Sequence, residues 1–380
     1  MMLNFFTERT YLPAGLPHIT MLYPFWGKNP EPQGDPNAGR FDRLADNGRQ
    51  FLSLISLKDA DVAILPFGWE HRAFSKEGIV LAEQLGQHAQ AAGKPMALFF
   101  SSDSMKTLPN PHWLVFRTSL FRSRKSPNEF AMPAWSEDFV DRYLQGEGPV
   151  RRKRGKPVVG FCGFAPSRPM MLKRVALAAR DYWRSRTTGA DTRGRYVRAA
   201  AVRVLAESSR VETNFVLRDQ FLGGALLPTG EPDWHVLAQS RKEYVENIRD
   251  SDYILCIRGA GNFSYRLYEA LSCGRIPVFV DTDCLLPYHS AIAWKQHCVW
   301  VDHSELEQLP DKITQFHDAL TDQQFIDLQR SCRDFWQTFL SPEGYFRNFY
   351  RHFQGAGEET RPIPSSERHA DPKLRAFPKE

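Results

Sequence analysis

Residues 251–280 read SDYILCIRGAGNFSYRLYEALSCGRIPVFV, and the fold follows from this stretch. An apolar run, Tyr253 to Ile257, leads through a glycine-bearing loop into a helical segment from Ser264 to Cys273. A tight turn at Gly274 returns the chain to a second apolar run, Ile276 to Val280. Short apolar runs alternating with helices indicate parallel strands covered on both faces. Gly259 and Gly261 lack a Cβ, which lets the loop backbone approach a ligand closely. Ser264 stands at the N-cap, and the free amides of the first turn suit an anion by geometry and dipole. Leu267, Ala270 and Leu271 supply the buried stripe of the helix, and Gly274 its stop. Arg266 and Glu269 share another face near the helix start. A cation beside an amide-lined helix terminus suits a diphosphate, and a carboxylate one turn deeper suits ribose hydroxyls. The alternative is an exposed ion pair worth roughly a few tenths of a kcal/mol.

The alternation extends in both directions. Upstream, 157–163 and 211–217 read as strands, with helices at 171–185 and 241–249. Downstream, 298–301 is a last strand, followed by helices at 304–320, 322–340 and near 345–353. In the first third, strands are expected at 19–24, 61–66, 95–100 and 113–118, with helices at 41–57 and 76–92. The stretch GEGPVRRKRGK, 146–156, is polar and charged and suits an interdomain linker. Two α/β units follow: an N-terminal domain, 1–145, and a C-terminal domain, 157–340, closed by a helix at 341–354. The tail, 355–380, has almost no apolar content and is expected to be disordered. The resulting expectation is two Rossmann-like domains facing across a cleft, with ligands outside the carboxyl ends of the strands.

Composition bounds the function classes. The 380 residues include 49 basic and 44 acidic side chains, net +5, and 42% are apolar, which is ordinary for a globular protein. No apolar stretch reaches the length of a membrane-spanning helix. Residues 1–17 show no basic flank before an apolar run, so no secretory leader is expected. Six cysteines are scattered without a CxxC pair, which argues for reduced core thiols in a cytoplasmic protein rather than a zinc or disulfide scaffold. Basic residues cluster at Arg122, Arg124 and Lys125, and again from Arg151 to Lys156. Such runs are solvated linkers, or they meet an anionic partner or the surface of an anionic membrane from its periphery. No nucleic-acid motif accompanies them.

The combined pattern resembles the nucleotide-sugar-binding half of the exostosin family of glycosyltransferases. The residues that carry it are Arg258-Gly259, Ser264-Tyr265-Arg266, Glu269-Ala270, Gly274-Arg275-Ile276-Pro277-Val278, Asp281 or Asp283, and Leu286-Pro287-Tyr288. Trp294 and the strand Val299 to Val301 add to it, with a weaker echo in Asp61 to Phe67. The resemblance covers about 245–305 closely. It implies a GT-B fold and inverting transfer from a nucleotide-diphosphate sugar, with UDP the expected nucleotide, to a glycan or glycolipid. By position, Arg266 meets the diphosphate and Glu269 the ribose. Gly259, Gly261, Asn262 and Ser264 line the loop, and Arg258 assists the phosphates. The family's N-terminal membrane anchor has no counterpart here, which favours a cytoplasmic enzyme over one resident in the Golgi.

Inverting transfer needs a general base opposite the donor, from the first domain. Glu70, His71 and Asp103 follow strands there and are the candidates. Trp26, Phe67 and Trp69 are candidates for stacking on a sugar, or else core aromatics. Of two Asp-x-Asp pairs, Asp250-Ser251-Asp252 precedes its strand and lies at the wrong sheet edge. Asp281-Thr282-Asp283 follows a strand and could hold Mg²⁺ or Mn²⁺; a metal-independent reaction is favoured, because Arg266 can replace the charge. Two alternatives are a GDP-sugar enzyme similar to fucosyltransferases and a catalytically silent nucleotide- or glycan-binding module.

Overall fold

A computed structural model describes residues 1–69, 75–146, 148, 150–165, 194–218, 224–225 and 233–353. Among the described residues there are two sheets, both parallel throughout. The first has six strands: β1 (Leu3–Phe6), β2 (Leu52–Leu54), β3 (Val62–Ile64), β4 (Met96–Phe100), β5 (Leu114–Arg117) and β6 (Glu129–Ala131), in the order β2-β1-β3-β4-β5-β6. The second has five: β7 (Val158–Phe164), β8 (Glu212–Arg218), β9 (Tyr253–Cys256), β10 (Ile276–Asp281) and β11 (Val299–Asp302), in the order β11-β10-β9-β7-β8. This is a two-lobed α/β architecture of the GT-B kind.

The central strands are apolar on both faces because helices cover both faces: every residue of β3, β4, β9 and β10 is buried. The helix Lys76–Ala91 lays Gly78, Ala82, Leu85 and Ala89 on the first sheet, its start capped by the Ser75 hydroxyl, which accepts the Gly78 N–H at 3.1 Å. The helix Tyr265–Ser272 buries Leu267, Ala270 and Leu271, and Gly274 ends the turn at φ +63°.

The first 60 residues depart from the expected pattern. The segment 19–24 is not a strand: a 3₁₀ turn, Thr20–Leu22, runs into a short helix, Tyr23–Trp26, with Pro24 in its first turn. Proline has φ preset for that position and no N–H to lose there, whereas in a ladder it would remove a donor. The strand is instead Leu3–Phe6, only four residues long and close to the chain start. The expected helix over 41–57 breaks into a helix, Asp42–Asn47, a 3₁₀ turn, Gly48–Gln50, and β2. Gly48 sits so near Pro24 that a Cβ there would lie 2.3 Å from its ring. The expected helix at 171–185 and the tail from 355 lie outside the described residues.

The basic segment 150–156 is sewn to the second lobe. Arg151 Nε donates to Asp252 Oδ1 at 2.6 Å, and Lys153 Nζ donates to the Leu320 carbonyl at 2.6 Å. Beyond the helix Asp322–Phe335, the chain crosses back. Phe349 rests against Phe99 and Phe116, with ring centroids 5.5 and 4.6 Å away, and Phe346 lies 5.8 Å from Phe99. Its final helices therefore pack on the first lobe.

Candidate functional site

The carboxyl ends of the two sheets face each other. Loops after β4 and β5 meet loops after β9 and β10, and the residues between them build the site. Asp103, three residues past β4, accepts the Gly261 N–H of the loop that follows β9. A Cβ at Gly261 would lie 2.5 Å from the Asp103 carboxylate, so the contact requires glycine. Part of Asp103 faces solvent, yet neighbouring protein still raises its carboxyl above the ordinary range. The Gly261 N–H and the Arg258 charge pull the other way and are outweighed.

Asn262 is the bracket between the lobes. Its backbone N–H donates to Ser119 Oγ at 2.9 Å. Its side-chain amide donates to the Leu120 carbonyl at 3.2 Å and the Asp283 carbonyl at 3.1 Å, and its Oδ1 accepts the Thr282 hydroxyl at 2.7 Å. Both amide hydrogens are thus used on protein, and the side chain shapes the loop from beneath. Asp281 and Asp283 are used in the same way. Asp281 Oδ2 accepts Arg122 Nη2 at 2.7 Å and its Oδ1 the Cys284 N–H at 3.0 Å, while Asp283 accepts the Ser123 hydroxyl at 2.5 Å and N–H at 3.2 Å. Arg122, one of the basic residues clustered in the sequence at 122–125, makes this contact through Nη2 while its side chain stays half exposed. Among the described residues, no group of three His, Cys, Asp or Glu side chains converges as a metal site would.

On the helix that follows, Arg266 and Glu269 do not pair with each other. Arg266 folds over the end of β7: Nε and Nη2 donate to the Cys162 carbonyl at 3.3 and 3.0 Å, and the guanidinium lies 4.6 Å from the Phe161 ring. Gly163 makes this possible. It has φ +149°, and a Cβ there would stand 2.2 Å from Arg266 Nη2. Glu269 is buried at 8% exposure, with Oε1 accepting Arg241 Nη1 at 3.2 Å and Oε2 accepting the Tyr244 hydroxyl at 2.5 Å. Burial, with the Glu269 charge beside it, drives the Tyr244 phenol well above its usual range, so it stays a donor. Ser264 is the N-cap by backbone geometry, but its hydroxyl makes no capping bond. That oxygen is buried without a hydrogen-bond partner among the described residues.

More arginines gather at this sheet edge. Arg258 turns into the loop, donating to the Ala260 carbonyl at 2.9 Å. Arg198 donates to the carbonyls of Arg258 and Phe164, at 2.9 and 3.2 Å. Arg218, at the end of β8, reaches the Cys162 thiol. Gly259 remains partly open, with Arg198 3.6 Å from where its Cβ would be. Arg198, Arg218, Arg258 and Arg266 thus gather at this edge, a cationic group suited to an anion.

Of the residues singled out from the sequence, Arg258, Gly259, Gly261, Asn262, Ser264, Arg266, Glu269 and Asp103 lie at or beside this loop. Arg241, Tyr244, Arg198 and Gly163, which contact them, were not singled out. Only Gly163 carried a signal, as a glycine inside the apolar run GFCGF. Glu70 and His71 lie outside the described residues. Phe67 and Trp69 are buried, at 1% and 0% exposure, and stack on each other at 6.5 Å in the core, unavailable to a sugar. Trp26 is partly exposed beneath Arg9, 4.7 Å from the ring.

Two parallel sheets with facing carboxyl edges, and an arginine-rich loop and helix on one of them, define a GT-B-like class of protein. Residues 209–316 match the model of the exostosin GT47 domain. Exostosin-1 of Drosophila melanogaster is 30% identical over 100 residues, 26% of this chain and 13% of that protein. A probable glucuronosyltransferase of Oryza sativa is 32% identical over 83 residues, 22% of this chain and 19% of the relative. A probable beta-1,4-xylosyltransferase of Arabidopsis thaliana is 31% identical over 83, 22% and 20%. Over that stretch the chain is similar to the exostosin family, and it spans between 13% and 20% of the length of these relatives.

Proposed function

We propose that this protein transfers a sugar from a nucleotide-diphosphate sugar, with UDP as the nucleotide, to a hydroxyl of a glycan or glycolipid, with inversion at the anomeric carbon. The observation that carries the reading is the meeting of Asp103 from one lobe with the Arg258-to-Glu269 loop and helix of the other. In this mechanism the Asp103 carboxylate takes the proton of the acceptor hydroxyl as its oxygen bonds to the anomeric carbon. The bond from that carbon to the diphosphate oxygen breaks on the opposite face. Charge developing on the leaving diphosphate is met by Arg266 and by the amides at the start of its helix, fixed in place before reaction. Glu269 accepts hydrogen bonds from the ribose hydroxyls. No divalent metal is assigned a role, because Asp281 and Asp283 already hold Arg122 and Ser123.

The test is a panel of nucleoside diphosphates and nucleotide sugars in thermal unfolding, followed by assay of nucleotide release with glycan acceptors. A ligand at about 100 times its Kd adds roughly 2.7 kcal/mol, so UDP is expected to raise the Tm by several degrees. Protection by GDP and not UDP replaces the nucleotide. Protection without any transfer or hydrolysis makes the protein a binding module, and no protection by any diphosphate overturns the reading.

A second expectation follows from the closeness of Gly163 to Arg266. Gly163→Ala displaces the guanidinium and lowers nucleoside-diphosphate affinity about tenfold, a loss of roughly 1.4 kcal/mol. It adds little in a chain already carrying Arg266→Ala, because the two changes remove one interaction. Titration calorimetry on the two single variants and the double variant checks this; full additivity contradicts it.

A further inference from the structure

We infer that Arg241 is a positioning residue for the nucleotide's ribose, orienting the Glu269 carboxylate and tying it to the first lobe. The inference rests on the reading of Arg266 and Glu269 as the diphosphate and ribose contacts. Arg241 lies in the helix Trp234–Arg249 and is largely buried, its side chain 18% exposed. Its fork spans three partners. Nη1 donates to Glu269 Oε1 at 3.2 Å, and Nη2 donates to Asn37 Oδ1 at 3.1 Å and lies 3.4 Å from Glu137 Oε1. The Phe139 ring, 5.5 Å away, closes one side. Asn37, Glu137 and Phe139 all belong to the first lobe, and Glu269 to the second.

The charge balance explains why an arginine is needed. Glu137 and Glu269 are both buried, and the Glu269 charge disfavours the ionised form of Glu137. Burial is the larger effect on Glu137, whose carboxyl is raised despite Arg241, Arg142 and Arg40 nearby. Without Arg241 the two carboxylates would share one buried space with no cation between them, and nothing would hold Glu269 Oε1 toward the first lobe. With Arg241 on Oε1 and Tyr244 on Oε2, each oxygen keeps a second lone pair. Those lone pairs are what adjacent ribose hydroxyls require. The fork matters as much as the charge, because the planar guanidinium holds Glu269 and Asn37 in fixed directions, which an ammonium on a flexible stem does not.

The test uses the full chain and three probes: UDP, its 2′,3′-dideoxy analogue and inorganic pyrophosphate, each titrated calorimetrically. The wild-type protein is expected to prefer UDP over the dideoxy analogue by about 10- to 100-fold, as for hydrogen bonds to a charged group. Arg241→Met and Glu269→Ala are each expected to erase that preference, their double variant to lose nothing further, and pyrophosphate affinity to stay within about twofold. Arg241→Lys keeps the charge and is expected to retain the fold while losing most of the preference; it decides the matter if Arg241→Met does not fold. A wild-type protein indifferent to the hydroxyls overturns the ribose reading itself. A wild-type preference that Glu269→Ala erases but Arg241→Lys retains in full overturns the inference and leaves the ribose reading standing.

Discussion

Asp103→Asn is expected to lower kcat by about 10²- to 10⁴-fold, the usual contribution of a positioned general base, while leaving donor affinity near its wild-type value. The asparagine oxygen can still accept the Gly261 N–H, so the loop stays in place and only proton uptake is lost. The pH dependence has a definite sign. Burial disfavours the charged carboxylate, so the folded group holds its proton to a higher pH than an ordinary aspartate. The base form is lost on acidification, and kcat/KM should rise with pH to a plateau, with a midpoint above the ordinary aspartate range. Asp103→Asn should lack that limb. A variant that keeps both rate and limb assigns the base elsewhere, with Glu70 and His71 the next to test.

Arg266→Ala is expected to weaken nucleoside-diphosphate binding by about 10- to 100-fold, since hydrogen bonds to a charged group contribute roughly 1.5–3 kcal/mol. The guanidinium is only partly buried, over Phe161 and the Cys162 carbonyl, so the fold should tolerate its removal with a small change in Tm. Arg266→Lys should recover part of the affinity as a point charge without the fork. The readout that separates a diphosphate contact from a packing role is pyrophosphate itself. Its affinity should fall with Arg266→Ala, yet stay nearly constant with Glu269→Ala. Equal pyrophosphate binding by wild type and Arg266→Ala would remove the arginine from the site.

The sequence made the second lobe more legible than the first for a physical reason. Its central strands are uninterrupted apolar runs bounded by glycine or by a polar turn, and in the Tyr265–Ser272 helix the apolar stripe, cap position and stop coincide. The first sheet opens with Leu3–Phe6 and Leu52–Leu54, too short for periodicity to announce, while the apolar run at 19–24 with its proline imitates a strand. Among the candidate site residues, Arg266 and Glu269 were legible because they sit in one helix beside a glycine loop. Arg241 was not: it contacts Glu269 across 28 positions and Asn37 across 204, and such pairing arises only on folding. Phe67 and Trp69 misled because an aromatic at a strand end has the same signature whether it faces a sugar or the core.

The strand order of the second sheet bears on how this protein is cut for expression. β7 runs between β8 and β9 but precedes residue 209, where the family match begins. A recombinant fragment trimmed to 209–316 would leave β8 with no neighbour to hydrogen-bond. It would also remove two partners of Asn262, Ser119 from its backbone N–H and Leu120 from its side-chain amide. The homology boundary is therefore not a folding boundary, and useful truncations should keep both lobes and the returning helices through residue 353.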